Sequence, residues 1–289
     1  MIGVKHVLKW LDRVWTIVAV AIIVYVLSTV LLVASFRVPT GSMEPAILPG
    51  DYILVNKLIF GPRIFNLWAA ADKRPFTVYR LWGWRGVDYN DVLVFNRPSR
   101  SSRAGVEFDL MSYFAKRCVA LPGDTIEIRN WRYHVRGREE MPLGYIPCQE
   151  QAATLYGDRD EARDFFGKAY PAYPKVEPYD WTIQDFGPLY VPAAGSKVAL
   201  TQETAVLYRK YIEWETGQAL RLDTLKNEIF LGKEPVKEYI FNKNYYFAAG
   251  DNVMNSGDSR YWGLVPEEFI VGVAVCVWKS PQGTVRFIN

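Results

Sequence analysis

Histidine and cysteine are scarce in this chain, and each scarcity closes off a chemistry. Of 289 residues, two are histidine and three are cysteine. Cys118, Cys148 and Cys276 permit at most one intramolecular disulfide, form no CxxC pair and have no histidine cluster beside them. No zinc site or other metal site is therefore expected. The three read as small buried apolar residues, which carry no information on redox compartment. An excess of one charge is also missing, since 34 Lys and Arg face 31 Asp and Glu for a net charge of +3. That balance excludes nucleic-acid binding as the primary role. There is no internal repeat. No second long apolar run exists either: Phe269–Trp278 is too short for a helical membrane crossing.

What is present begins with one such run. Val14–Phe36 (VWTIVAVAIIVYVLSTVLLVASF) contains no charged residue. About 20 helical residues cross a bilayer, so the run is long enough to span, and it exceeds the apolar core of a cleaved signal peptide. Lys5, Lys9 and Arg13 precede it, with His6 adding to them, and only Arg37 follows closely. This asymmetry predicts a cytoplasmic N-terminus (residues 1–13), a single transmembrane helix (14–36) and a body on the far side of the membrane.

Beyond residue 37 the pattern changes to short runs rich in Val, Ile, Tyr and Phe, bounded by Gly, Pro, Asn or Asp. Asp51–Leu58, Asp91–Phe95, Tyr113–Ala120, Thr125–Ile128, Lys197–Thr201, Tyr245–Ala249 and Phe269–Trp278 read as strands, and the fold as mainly β. One helix is expected over Gln202–Thr216, with Thr201 as N-cap and Gly217 just past its end. Gln149–Asp185, polar and proline-containing, reads as a surface insertion. Phe60–Gly86 interleaves Phe65, Trp68, Phe76, Trp82 and Trp84 with Arg63, Lys73, Arg74 and Arg85. Two readings fit that mixture: a membrane interface, or a sheet edge with its aromatics turned inward.

VPTGSMEP, Val38–Pro45, follows the apolar run almost directly. Pro39, Gly41 and Pro45 preclude a regular helix there, leaving a turn that carries Ser42 between a glycine and a methionine. As a linker it is unremarkable; as a nucleophile, Ser42 needs a base on its own side of the membrane. His6 lies before the apolar run, and His134 sits alone in the polar WRYHVRG stretch. Metal ligands are lacking, and a carboxylate pair would leave the serine turn unexplained. Lysine remains. Lys116, in FAKRCVALPGD, is enclosed in sequence by Phe114, Ala115, Val119, Ala120 and Leu121. Strand alternation can turn Lys116 inward and Arg117 to water. An apolar setting lowers a lysine pKa, and a fall to about 8 or below makes a general base near neutrality.

Four ordered blocks carry a resemblance. VPTGSMEPAILPGD (Val38–Asp51), DVLVF (Asp91–Phe95), AKRCVALPGD (Ala115–Asp124) and YYFAAGDNVMNSGDSRYWGLVPEEFIVGVA (Tyr245–Ala274) resemble type I signal peptidase, the serine–lysine dyad family. FGPLYVP (Phe186–Pro192) is similar to bacterial members with a large insertion. The resemblance implies that Ser42 is the nucleophile and Lys116 its base. By the same resemblance Thr40, with the Ser42 N–H, would stabilise the oxyanion, and Ser256 would orient the lysine by a hydrogen bond. Asp251, Asp258 and Arg260 brace the site. Val38, Pro39, Met43, Ile47 and Ala115 line the substrate pockets. The family's usual arginine after Gly-Asp-Asn is replaced by Val253, which alters the bracing network.

The fold implied is an antiparallel β catalytic domain (37–128 and 244–289) with a smaller inserted β region containing a short helix (129–243). The function implied is a serine endopeptidase, single-pass in the bacterial inner membrane with its catalytic domain on the periplasmic side. On this resemblance it would remove signal peptides from exported preproteins without a cofactor. Its partners are those preproteins and the lipid bilayer; no nucleic acid is involved, and the oligomeric state is open. Two alternatives are a specialised processing peptidase for one secreted substrate and an inactive, membrane-tethered module that binds peptides by strand addition.

Overall fold

The computed structural model describes residues 2–98, 105–156, 170–223, 225 and 227–288. Its first element is a helix, α1, Ile2–Leu31. Within α1, His6–Leu31 is long and apolar enough to cross a membrane, and its apolar window has no residue buried against the rest of the protein. The helix expected over 14–36 therefore ends early. Val33–Arg37 instead forms a strand, β1, paired antiparallel with β2, Tyr52–Asn56. A Val- and Leu-rich run suits either conformation, and here the pairing partner decides. Lys57 fixes the junction. Its N–H donates to Leu32 O at 2.9 Å, and its Nζ donates to Thr29 O at 2.7 Å and Val30 O at 3.2 Å. These last-turn carbonyls lack intrahelical donors, and a cation is favoured at that end of the helix dipole.

The body is built on an antiparallel eight-stranded sheet. Besides β1 and β2 it uses β5 (Val92–Arg97), β6 (Asp109–Ala120), β15 (Tyr245–Ala249), β16 (Val265–Pro266), β17 (Ile270–Lys279) and β18 (Arg286–Phe287), in the order β1-β2-β17-β5-β6-β15-β16 with β18 on β17. Alternate residues of β5 feed different clusters. Leu93 and Phe95 pack with Cys118, Ala248 and Phe269, whereas Val92 and Val94 pack with Ile53, Val55 and Met43. Both faces of the sheet centre are thus covered, as its near-continuous apolar strands require.

Between β6 and β15 lies the smaller region. β7 (Thr125–Arg129), β8 (Arg132–Val135) and β9 (Phe186–Tyr190) form one sheet, β10 (Lys197–Ala199) pairs with β14 (Glu238–Ile240), and β11 (Leu220–Asp223), β12 (Glu228–Leu231) and β13 (Glu234–Pro235) form another. The boundary expected at residue 129 differs from this arrangement, because β7 pairs with β8 and β9 and not with the large sheet. The expected helix, Gln202–Thr216, carries a Thr201/Thr204 capping box and ends at Gly217 with φ +68°. A second helix, Ile146–Tyr156, was not expected. The Gln149–Asp185 stretch is more than a surface insertion: Ala152, Ala153, Ala172, Tyr173 and Ile183 are buried in a core shared with Val119, Ala120, Phe247 and Ala249 of β6 and β15. Polar and proline neighbours masked these apolar residues in the sequence. Residues 157–169 of that stretch lie outside the described residues.

In Phe60–Gly86 some aromatics turn inward and others stay at the surface. Phe65 and Phe76 pack with Phe108, while Trp68, Trp82 and Trp84 are exposed. Arg63 (β3, Arg63–Ile64) and Arg80 (β4, Tyr79–Arg80) do not face outward; their guanidiniums donate to carbonyls of Glu268, Gly61, Glu267 and Ile270.

Candidate active site

The nucleophile candidate sits where the chain folds back from β1 to β2. Val38 N donates to Asp51 O at 2.8 Å and Gly50 N to Val38 O at 2.7 Å, closing the loop. Met43 and Ile47 are fully buried, and with Val38 they join Ile53, Val55, Val92 and Val94, while Ala115 packs at the edge of that cluster. Apolar anchoring below leaves Ser42 partly exposed above, on a single 3₁₀ turn, Gly41–Met43. The turn is also held from the opposite side of the site. Asn252 N donates to Ser42 O, and Asn252 Nδ2 to Gly41 O, each at 3.2 Å.

Lys116 lies on β6 opposite Leu93 of β5 and is 2% exposed. Its Nζ donates to Ser42 Oγ at 2.6 Å and to Ala115 O at 2.9 Å. Two residues earlier on the same strand, the Phe114 ring stands 5.4 Å from Nζ and stacks on Trp262 at 4.9 Å. Burial lowers the Lys116 pKa to about 8, with Asp258 and Asp251 opposing that fall and Arg260 adding to it. A lysine so placed has a substantial neutral fraction near physiological pH. Thr40 Oγ1 lies 3.5 Å from Ser42 Oγ, on the exposed side of the turn.

Behind the lysine run two buried ion pairs. Arg117 Nε and Nη2 grip the two oxygens of Asp251, each at 2.7 Å, and Arg117 Nη1 donates to Asn90 O. Arg260 Nε and Nη2 grip Asp258 at 2.9 and 2.7 Å, and Arg260 Nη1 donates to Val253 O at 2.8 Å. Asp258 also accepts from Gly250 N at 3.0 Å. Burial works against its ionisation, but Arg260 and the Gly250 N–H outweigh it, so the Asp258 pKa is lowered. All four side chains are 3% exposed or less. Gly250 brings the two halves together: a Cβ there would stand 2.1 Å from Ser256 Oγ and 2.4 Å from Ser42 O.

The fold brings Thr40, Ser42, Lys116, Asp251, Ser256, Asp258 and Arg260 to one end of β6 and β15, and gathers Val38, Met43, Ile47 and Ala115 beneath the serine turn. Pro39 stands apart at the surface. Two expectations differ from the structure. Arg117 is buried against Asp251 instead of facing water, because the second face of β6 is covered too. Ser256 makes no hydrogen bond to Lys116; its buried hydroxyl faces the Asp258 carboxylate and helps to keep that group ionised, and the carbonyl of Ala115 accepts from the amine. Val253 is buried in the core and contributes its carbonyl to Arg260, so the braces close without an arginine at that position. Asn252, Arg117, Phe114 and Trp262 were missed; of these, Asn252 had a signal, lying next to Asp251 in GDN. Among the described residues no group of His, Cys, Asp or Glu is arranged to hold a metal ion.

A serine hydroxyl against a buried lysine amine, on an antiparallel β frame joined to an apolar N-terminal helix, is the arrangement of hydrolases that use lysine in place of histidine. Comparison with known proteins narrows that class. The family profile described as "Signal peptidase, peptidase S26" matches residues 9–279, and the chain belongs to this family. It is similar to Signal peptidase I of Rickettsia conorii, with 32% identity over 283 residues covering 93% of this chain and 80% of the relative. Signal peptidase I of Buchnera aphidicola (subsp. Acyrthosiphon pisum) is 29% identical over 251 residues, 85% of this chain and 68% of the relative. Signal peptidase I of Pseudomonas aeruginosa is 29% identical over 260 residues, 86% and 66% respectively. The chain thus spans about two thirds of the length of the last two.

Proposed function

We propose that this chain is a membrane-anchored serine endopeptidase that removes signal peptides from exported preproteins, with Ser42 as nucleophile and Lys116 as general base. The observation that carries the reading is the 2.6 Å approach of Lys116 Nζ to Ser42 Oγ in a water-poor setting. As the neutral amine, Lys116 accepts the Ser42 proton while Oγ attacks the scissile carbonyl carbon. The developing oxyanion accepts hydrogen bonds from the Thr40 hydroxyl and the Ser42 N–H. Collapse breaks the C–N bond, and the Lys116 ammonium returns the proton to the departing amine. Water, deprotonated by the same lysine, then hydrolyses the acyl ester on Ser42. An inert peptide-binding module has no need of a buried lysine against a serine.

The α1 helix crosses the bilayer with its basic N-terminal flank in the cytoplasm, which puts Ser42 on the exported side. The catalytic unit is the large sheet, and the region between β6 and β15 is an insertion into it. Incubating the purified full chain with a labelled preprotein and mapping the cut tests the activity. Cleavage after the signal peptide, lost in both Ser42→Ala and Lys116→Arg, is expected. Arginine keeps the charge but does not deprotonate at usable pH, so an active Lys116→Arg enzyme refutes the dyad. Reporters fused before residue 10 and after residue 45 test orientation, and a cytoplasmic signal from both refutes it.

A further inference from the structure

The insertion holds the active-site segment at three backbone groups, and a buried lysine that the proposed chemistry does not use makes one of the contacts. Lys210 lies on the inward face of the Gln202–Thr216 helix, in the same interior as Leu207, Tyr208 and Ile212. Its Nζ donates to the carbonyl of Trp262. The remaining groups facing that nitrogen are the rings of Tyr173 at 4.6 Å and Tyr211 at 5.1 Å. Tyr173 N donates to Arg260 O at 2.7 Å, and Tyr211 Oη accepts from Leu264 N. Arg260, Trp262 and Leu264 are thus gripped at alternate positions. Gly263 between them has φ +92°, and a Cβ there would stand 2.2 Å from Tyr211 Oη. The close approach requires glycine.

What this segment carries is the support of the base. Arg260 is paired with Asp258, and the Trp262 ring stacks on Phe114, whose own ring faces Lys116 Nζ. The contact sequence runs Lys210, Trp262, Phe114, Lys116. We propose that Lys210 is a positioning residue for the Ser42–Lys116 pair, and that the inserted region serves the reaction by locking residues 260–264 so that Trp262 and Phe114 keep water from the base. The inference rests on the dyad reading above. Without the Lys210 donor, the buried Trp262 carbonyl has no partner and the segment shifts toward water. The Trp262–Phe114 stack then loosens and solvent reaches Nζ. Asp258 and Asp251 lie outside the released segment, and Arg260 stays tied to Asp258 by its ion pair, so the charges facing the base are kept and the change reports hydration.

The test is the pH dependence of preprotein cleavage, with kcat and KM separated, for the full chain and for Lys210→Met and Tyr211→Phe. Hydration moves the Lys116 titration upward, and each unit removes about tenfold of the neutral amine below it. Lys210→Met is expected to lose about tenfold in kcat at pH 7, to recover most of it by pH 10, and to keep KM. Tyr211→Phe, which removes one acceptor at unchanged shape, is expected to move the same limb by a smaller amount. Burial lowers the Lys210 pKa to about 7, so a merely structural role also varies with pH through the amount of folded enzyme; kcat is therefore referred to active sites counted at each pH, and on that basis a structural role leaves the limb unmoved. An unmoved acid limb in folded Lys210→Met overturns the proposal. If that variant does not fold, an unmoved limb in Tyr211→Phe does so. Lys116→Arg run alongside separates the two ideas: its activity refutes the dyad, whereas an inactive Lys116→Arg with unmoved limbs refutes only the positioning role.

Discussion

Replacing Lys116 by methionine is expected to abolish cleavage and to change stability with a sign that depends on pH. Methionine keeps most of the apolar stem and cannot be charged. Burial holds the lysine pKa at about 8 against the ordinary 10.5. The unfolded chain therefore binds this proton below 10.5, and the folded chain only below about 8. Stability contributed by the neutral amine is intact above 10.5, declines as pH falls through the window, and is fully lost below 8. The gap corresponds to about 3 kcal/mol. Methionine removes that penalty but forfeits the bonds to Ser42 Oγ and Ala115 O, at about 1 kcal/mol each. At pH 7 the variant should be more stable by about 1 kcal/mol. At pH 10, where most of the penalty has vanished, it should be less stable by about 1 kcal/mol. Urea unfolding of both proteins in detergent, followed by tryptophan fluorescence at the two pH values, reads the difference. A stability difference that is the same at pH 7 and pH 10 would show that burial does not lower the Lys116 titration, and the proposed base would lose its physical footing.

Thr40→Val should lower kcat by about 10² with KM unchanged, because one oxyanion donor is removed; single-turnover assays check it, and an unaffected rate removes Thr40 from the oxyanion site. Arg117→Met leaves Asp251 buried without its two-pronged partner and should cost about 3–5 kcal/mol in thermal or urea unfolding. Adding Asp251→Leu should recover most of that loss, and a double variant as unstable as the single one contradicts the pairing argument. Gly250→Ala must push apart Ser256 Oγ and the Ser42 carbonyl, 2.1 and 2.4 Å from the new Cβ. Displacing the proposed nucleophile by even an ångström is expected to cost about 10² in rate with the fold retained, as read by kcat beside circular dichroism.

How much of this was legible in the sequence varied with how local the determining physics is. The Gln202–Thr216 helix could be read with its caps because Thr201, Thr204 and Gly217 act within one turn of its ends. Ser42 stood out because prolines and glycine forbid regular structure around it. Lys116 was legible as a charged residue among apolar neighbours, but the same alternation argument misplaced Arg117. Alternation tells which side of a strand a residue faces, not whether that side meets water, and here Asp251 and its loop cover it. The strand Val33–Arg37 was hidden for a related reason: it is as apolar as the helix before it, and only pairing with Tyr52–Asn56 separates the two. The Lys210 contact to Trp262 joins residues 52 apart in the chain, and no local pattern encodes it.

The tight junction between α1 and β1 turns the molecule into a ruler. Only Leu32 separates the helix from the strand, and Lys57 clamps Leu32 and the last turn of the helix. The chain from Leu31 to Ser42 therefore has little slack, and its first seven residues reach at most about 25 Å fully extended. If the bilayer ends with the helix, the reactive hydroxyl sits at a set height above it, and a substrate must present its scissile bond at that height. A preprotein whose own apolar stretch ends at the same depth does so with a short extended segment. One whose stretch ends deeper, or whose linker is too long, offers the wrong bond. Selection of the cut then includes a distance laid off from the membrane surface, beside whatever the side chains around Ser42 accept.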